Sequence, residues 1–371
     1  MTDEFWEEQA DQSRVKTDIV VAYLDAWWQI MKARATRVAY VDLYSGPGRF
    51  RDGTESTPLK VLRKALEDAR LSSSLMTLFN DIEIDYSRQL EFEIQRLPGI
   101  GRLRFPPIIK HGPVSDDIEH ELETAFAGVP TLSFLDPWGY KGLSANLLGR
   151  LVQGFGCDAI FFFNYNRVQS GVSNDRVEAH MRGLFGALRL AGLRDQLRAL
   201  PPQERERAIS RALADSLAEH GAPLMLPFKV WTPRKRISHY LCFITKNKTA
   251  YLIMKEIMAQ HGWADEDGVP RLEYVPQRSG RQLQLFEVQR PIRNLGVDLA
   301  RTFQGRTLQV RDVVSEHNVG TPFVKANYKK VLLEMEAKGQ VACEPPADRR
   351  RKQKGRPTLA DTVRVTFPPS P

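Results

Sequence analysis

The chain has 371 residues, 42% of them hydrophobic, 26% charged and 9% aromatic; this globular composition excludes collagen, coiled coil and wholesale disorder and implies about two to three domains. The net charge is +8, from 53 Lys and Arg against 45 Asp and Glu. No apolar run nears the ~20 residues that span a bilayer, the acidic stretch Met1–Glu8 lacks the apolar core of a secretory signal, and three scattered cysteines without a CxxC fit a reducing, cytoplasmic compartment.

Apolar residues Ile19, Val20, Tyr23, Leu24, Trp27 and Ile30 recur at spacings of three and four, which predicts a helix over about 15–33. A short apolar strand at 37–44 runs into Ser45-Gly46-Pro47-Gly48. Helix 58–70, strand 76–81, helix 86–97, strand 108–111, helix 116–126, strand 131–136, helix 145–152 and strand 159–165 follow. Strands that are apolar throughout and alternate with helices predict an α/β domain whose parallel sheet is covered on both faces. A charge-rich helical stretch, about 170–225, reads as an insertion over that sheet. Strands 228–231 and 240–245 then close it as a hairpin, and a helix near 250–260 ends a first domain spanning 1–263. This layout resembles the Rossmann-like class I methyltransferase plan, a mostly parallel sheet with an antiparallel last strand.

Residues 264–284, rich in Gly, Pro and charge, read as a linker. Beyond it, helix 295–303, strand 307–310, helix 312–317 and a turn at 318–320 precede a third helix. Thr321 is its expected N-cap and Pro322 its first residue, with Gly339 as the stop. Strands 340–344 and 362–367 pair around a basic loop. Three helices and a hairpin make a winged helix at 285–371. That segment holds 16 basic and 9 acidic residues, whereas the other 284 residues hold 37 and 36. A nearly neutral body with a basic module points to a polyanionic partner, DNA or RNA; a solvated face or a protein partner is the blander reading. Lys325, Asn327, Lys329 and Lys330 lie off the third helix's apolar stripe, where a recognition helix meets a groove. The wing adds Arg349, Arg350, Arg351, Lys352, Lys354 and Arg356, six cations in eight residues. Its Lys354-Gly-Arg-Pro357 is similar to the minor-groove core of an AT-hook.

The motifs that carry chemistry lie at strand ends. Asp42-Leu-Tyr44-Ser-Gly46-Pro-Gly48 follows the first strand, where open α/β sheets bind ligands. Its glycines let backbone approach a cofactor, and its carboxylate can receive an amino group. A dinucleotide fingerprint needs a third glycine at position 51, which is arginine, so NAD and FAD are unexpected. The DxYxGxG form resembles the first motif of S-adenosylmethionine-dependent methyltransferases. Asp81 ends the second strand, placed for ribose hydroxyls, with Glu83 and Asp85 as near alternatives. Asp116 follows the third, placed for an adenine amino group or simply as a helix N-cap. Asp136-Pro137-Trp138-Gly139-Tyr140 closes the fourth strand. There the acid and the proline carbonyl can accept from an exocyclic NH2 while an aromatic ring stacks on an extruded base. The block resembles the (D/N)PP(Y/F/W) motif of amino-methyltransferases, with Trp138 in place of the second proline and Tyr140 one residue late; a structural turn around a buried tryptophan is the other reading. The absence of a Pro-Cys dipeptide, of paired histidines and of a GxxxxGK[ST] loop removes covalent cytosine-C5 chemistry, a metal site and an NTPase.

These blocks, together with Lys16, Tyr23-Leu24 and Trp27, Gly53 with Pro58-Leu59, Asn164-Tyr-Asn-Arg167, Leu184-Phe-Gly186, Thr245-Lys246 and Met254-Lys-Glu256, make the chain resemble the three-Cys-motif partner family (TcmP) of bacterial proteins. The resemblance implies a methyltransferase-like domain, a winged helix and a partner protein that resembles radical-S-adenosylmethionine enzymes. The resulting expectation is an S-adenosylmethionine-dependent methyltransferase acting on an amine of DNA or RNA. The alternatives are a non-catalytic nucleic-acid-binding adaptor for that partner, or an enzyme that methylates the partner itself.

Overall fold

The computed structural model describes residues 11–114, 116–137, 139–232, 237–265, 267–275 and 292–369. In chain order the elements are α1 (Asp11–Met31), β1 (Val38–Asp42), α2 (Thr57–Glu67), α3 (Ala69–Ser74), β2 (Leu75–Asp81), α4 (Ile84–Gln95), β3 (Ile108–His111), α5 (Asp116–Ala125), β4 (Thr131–Leu135), α6 (Ala145–Leu151) and β5 (Asp158–Phe163). Then come α7 (Tyr165–Val172), α8 (Glu178–Phe185), α9 (Ala187–Ala199), α10 (Pro202–Glu219), β6 (Leu224–Trp231), β7 (Ile237–Thr245), α11 (Lys248–His261), β8 (Trp263–Ala264), β9 (Pro270–Arg271) and β10 (Glu273–Tyr274). The rest is α12 (Ile292–Thr302), β11 (Thr307–Gln309), α13 (Val310–His317), α14 (Lys325–Ala337), β12 (Ala342–Glu344), β13 (Lys352–Gln353), β14 (Arg356–Pro357) and β15 (Arg364–Thr366). The chain divides into two compact units, Met1–Asn247 with Tyr274–Gly280, and Lys248–Glu273 with Arg281–Pro371.

Every residue of β1 and β4 is buried, as strands covered on both faces must be. The sheet runs β10-β6-β7-β5-β4-β1-β2-β3. β1 lies parallel to β2 and β4, β2 to β3 and β4 to β5, while β7 is antiparallel to both β5 and β6. Inserting one antiparallel strand beside the last parallel one gives the class I methyltransferase order. Residues of α7, α8 and α10, among them Val168, Val172, Met181, Phe185, Ile209 and Leu213, share one buried cluster with Ala159, Phe161 and Phe163 of β5. The expected insertion is therefore part of the domain's own core. α1 is held by its polar handles: Tyr23 donates to Asp158 at 2.8 Å, Trp27 to the Gly156 carbonyl at 2.9 Å and Trp28 to Asp68 at 2.9 Å, the pairing that buried Tyr and Trp require.

In the second unit, β11-β15-β12 form an antiparallel sheet, and Leu295, Leu299, Val313, Tyr328, Leu332 and Val365 build a core with it. Three details differ from the sequence reading. Helix α11, expected in the first domain, belongs here: Leu252 joins this core, and the fully buried Lys255 Nζ donates to the carbonyls of Asn318, Thr321 (3.0 Å) and Phe323 (3.4 Å). Part of the expected linker is a small hairpin, β8 on β9, and residues 276–291 lie outside the described ones. Thr321 is no N-cap; its hydroxyl donates to the Asn318 carbonyl at 2.9 Å. α14 starts at Lys325 after Val324, whose N–H donates to Asn327 Oδ1 at 3.0 Å. The wing is a hairpin of β13 and β14 with Lys354 (φ 50°) and Gly355 (φ 76°) at its tip, both in the left-handed region that a type I′ turn demands. The tetrapeptide that resembled an AT-hook core is thus folded back on itself.

Candidate functional site

β1 and β4 are neighbours with Asp42 opposite Phe134, so the turns after them meet. Leu43 N–H donates to the Phe134 carbonyl at 3.2 Å, and the Tyr44 hydroxyl donates to the Lys141 carbonyl at 3.0 Å. Asp42, Tyr44, Ser45, Asp136 and, from α1, Lys16 and Thr17 line one hollow. A water can occupy only about 30 Å³ of it, room for about two waters. Asp42 is 1% exposed. Burial drives its carboxyl well up from the carboxylate range; the Tyr44 N–H opposes this, Asp136 and Asp81 add to it, and Lys16 opposes it.

Asp81 anchors the glycine turn. Its Oδ2 accepts from Gly46 N–H at 2.8 Å and its Oδ1 from Glu83 N–H at 3.0 Å. Burial raises its carboxyl, and these amides restrain the rise. Glu83 and Asp85 are exposed, so of the three acids Asp81 is the one built into the turn. Beside it Ile82 and Ile84 stand 58% and 41% exposed, an apolar ledge at the carboxyl end of the sheet. Gly46 (φ 64°) and Gly48 (φ 84°) take the left-handed conformation. At Gly48 a Cβ would come within 2.7 Å of Leu90 Cδ1, so that glycine makes room for the packing of α2 and α4.

The acid-proline-aromatic turn is only partly turned to the hollow. Pro137 is buried; the Tyr140 ring lies 5.7 Å from His180 of α8 and is not among the hollow's lining. Trp138 and the Asp116 side chain lie outside the described residues, although Asp116 does open α5. Two further residues, neither of them given a role by the strand-end motifs, complete the site. Lys16, 7% exposed, pairs with Asp136, and its Nζ sits 5.5 Å from the Phe162 ring centroid. His239 of β7 stacks on the other partner of this contact, Phe162, at 4.3 Å. Its Nδ1 lies 3.0 Å from Ser238 Oγ, its Nε2 has no partner among the described residues, and burial followed by Lys16 pulls its pKa to about 3. The signal for Lys16 was legible, since three and four residues before Ile19 and Val20 place it on the helix's buried stripe.

In the winged helix, Lys325 and Lys329 both pair with Asp361, at 3.1 and 2.7 Å. Asn327 is 4% exposed, and besides receiving Val324 N–H it donates to the Gly268 carbonyl at 2.8 Å. Arg350 is buried and paired with Glu336 of α14. Lys330, Arg349, Arg351, Lys352, Lys354 and Arg356 are exposed. Of the ten residues expected to contact nucleic acid, Asn327 and Arg350 are thus internal fasteners.

Strand order and strand-end acids together define a Rossmann-like methyltransferase fold followed by a winged helix-turn-helix unit. A family model described as "GMT-like wHTH domain" matches residues 273–348. No curated protein sequence matches the chain. Among solved structures, the chain is similar to the DszA carbon methyltransferase (11% identity, 64% of this chain and 55% of that one, TM-score 0.39), the matched part spanning about half of that enzyme. It is also similar to the methyltransferase domain of bacterial CtHen1-C (15%, 63% and 97%, 0.34) and to Trm1 from Pyrococcus horikoshii in complex with S-adenosyl-L-methionine (12%, 98% and 92%, 0.32). No helix of the described residues is long and apolar enough to cross a membrane.

Proposed function

We propose that the protein is an S-adenosylmethionine-dependent methyltransferase that acts on an amine of DNA or RNA, binds that nucleic acid through its winged helix, and works with a three-Cys-motif, radical-S-adenosylmethionine-like partner in the cytoplasm. The observation that carries this reading is the shared hollow of Asp42 and Asp136 beside a glycine turn pinned by Asp81. The donor set fits the cofactor: beside the amides it accepts, Asp81 keeps lone-pair capacity for a ribose hydroxyl, the exposed Ile82 offers an apolar face for a purine, and Asp116, which opens α5, is the acid assigned to its amino group. Asp42, Tyr44, Gly46 and Gly48 surround the amino-acid end. When bound, the cofactor supplies an electrophilic methyl group. Asp136 and the Pro137 carbonyl accept from the target amine and aim its lone pair, with Trp138 or Tyr140 against the base. Lys16 is the charge partner that Asp136 holds in the hollow.

The test is incubation with methyl-labelled cofactor and DNA, RNA or partner protein, and label in the nucleic acid that vanishes in Asp136→Ala is the expected result. Calorimetry with no cofactor binding, and Asp42→Ala indistinguishable from wild type, refutes it. One observation favours a non-catalytic adaptor: Asp136 already has an internal partner in a hollow of two waters. That reading expects Asp136→Ala to be harmless while neutralising 349–356 abolishes function.

A further inference from the structure

The cations of the winged helix fall into two classes that the sequence does not distinguish. On α14, Lys325 and Lys329 converge on one carboxylate, Asp361. Burial pushes that carboxyl up, but Lys329 and Lys325 outweigh it and hold it below the ordinary carboxylate range. Asn327 is fully engaged inside the unit. The helix that a winged helix would lay into a groove therefore offers a single exposed cation, Lys330. The wing is the opposite. Arg349, Arg351, Lys352, Lys354 and Arg356 are all exposed and carry no ion pair among the described residues. Arg350, the one member that points inward, ties the base of the wing to Glu336 on α14. A hairpin with a type I′ tip is a stiff presentation, and five exposed cations, three Arg and two Lys, with no carboxylate paired to them among the described residues to fix their donors, suit phosphates, which both side chains bind, better than base edges, which require fixed donor–acceptor geometry.

Resting on the reading of this unit as a nucleic-acid binder, we infer that the wing, not α14, grips the phosphodiester backbone without regard to sequence, and that Asp361 keeps the first turns of α14 out of that grip. Each wing cation contacts a phosphate and displaces counterions; Lys325 and Lys329 do neither while they face Asp361.

The experiment uses the full chain and fluorescein-labelled 20-base-pair duplexes: two DNA duplexes of scrambled sequence and one RNA duplex, with anisotropy read between 50 and 200 mM NaCl. Neutralising the five wing cations to Gln should flatten the slope of log K against log salt by about 4 to 5, from ~0.9 per phosphate contact, and weaken binding at least a hundredfold. Lys325→Gln with Lys329→Gln should leave affinity within about threefold, because both ammonium groups are turned to Asp361, which offsets one of their two charges. Asp361→Asn, which frees both, should strengthen binding and steepen the slope. All these positions are exposed or half-exposed, and melting curves confirm that each variant is folded. Greater loss from the α14 pair than from the wing, a more than tenfold preference between the scrambled DNA duplexes, or unchanged binding in Asp361→Asn overturns the inference while leaving nucleic-acid binding intact. Wild-type protein that binds neither DNA nor RNA at 50 mM overturns that reading as well. The DNA and RNA arms identify which backbone is gripped.

Discussion

His239 gives the sharpest quantitative test of the first unit. The ring is 4% exposed, stacked on Phe162 and close to the Lys16 ammonium, so a proton added there meets both lost hydration and like charge. Its folded pKa of about 3 lies below the ~6.5 of a solvated histidine. Between these values the unfolded chain binds one more proton than the folded chain, so stability falls as pH drops below 6.5. The slope approaches about 1.36 kcal/mol per pH unit, and the loss from pH 7 to pH 5 is about 2 kcal/mol. The perturbation is His239→Phe, which keeps a ring against Phe162 and removes the titrating nitrogen. Guanidinium unfolding at pH 7, 6 and 5, followed by tryptophan fluorescence, should show wild type losing about 2 kcal/mol more than the variant. The buried carboxyls Asp42, Asp81 and Asp158 titrate in both proteins and cancel in the difference. Equal losses in the two proteins refute the argument, because they mean that the folded protein accepts the proton.

Gly48→Ala puts a Cβ at φ 84° against Leu90 and should cost about 1–3 kcal/mol, read as a melting temperature lower by several degrees; an unchanged value shows that the turn remodels freely. Arg350→Ala strands Glu336, 13% exposed, and should destabilise the second unit by about 3–5 kcal/mol, whereas the exposed Arg349→Ala should stay within about 0.5 kcal/mol in the same melt. Burial pulls the Lys255 ammonium to about 7, below the ~10.4 of a solvated lysine. The unfolded chain then holds the extra proton above pH 7, and wild-type stability should rise by about 2 kcal/mol from pH 7 to 9. Lys255→Met should show no such rise, and urea unfolding at the two pH values compares them.

The parallel strands were legible because both their faces are covered, which leaves runs such as Val38–Val41 and Ala159–Phe163 without polar interruption. Asp42, Asp81 and Asp136 were legible because strand ends fix where acids can meet. The membership of α11 was not: an apolar stripe says that a helix buries one face and nothing about which core receives it. Nor could spacing foresee that Asn327 and Arg350 turn inward, because the partners that draw them in, the Gly268 carbonyl and Glu336, are 59 and 14 residues away. Thr321-Pro322 had the right cap chemistry three residues too early, since the hydroxyl found the Asn318 carbonyl instead.

The plug that Lys255 forms under the turn between α13 and α14 sets where this unit can be cut. A fragment beginning at residue 273, where the family match starts, or at 285, would leave three carbonyls facing an empty socket and Leu252 missing from the core. One beginning at Lys248 carries its own stopper, and is the smallest piece that should be portable to another protein.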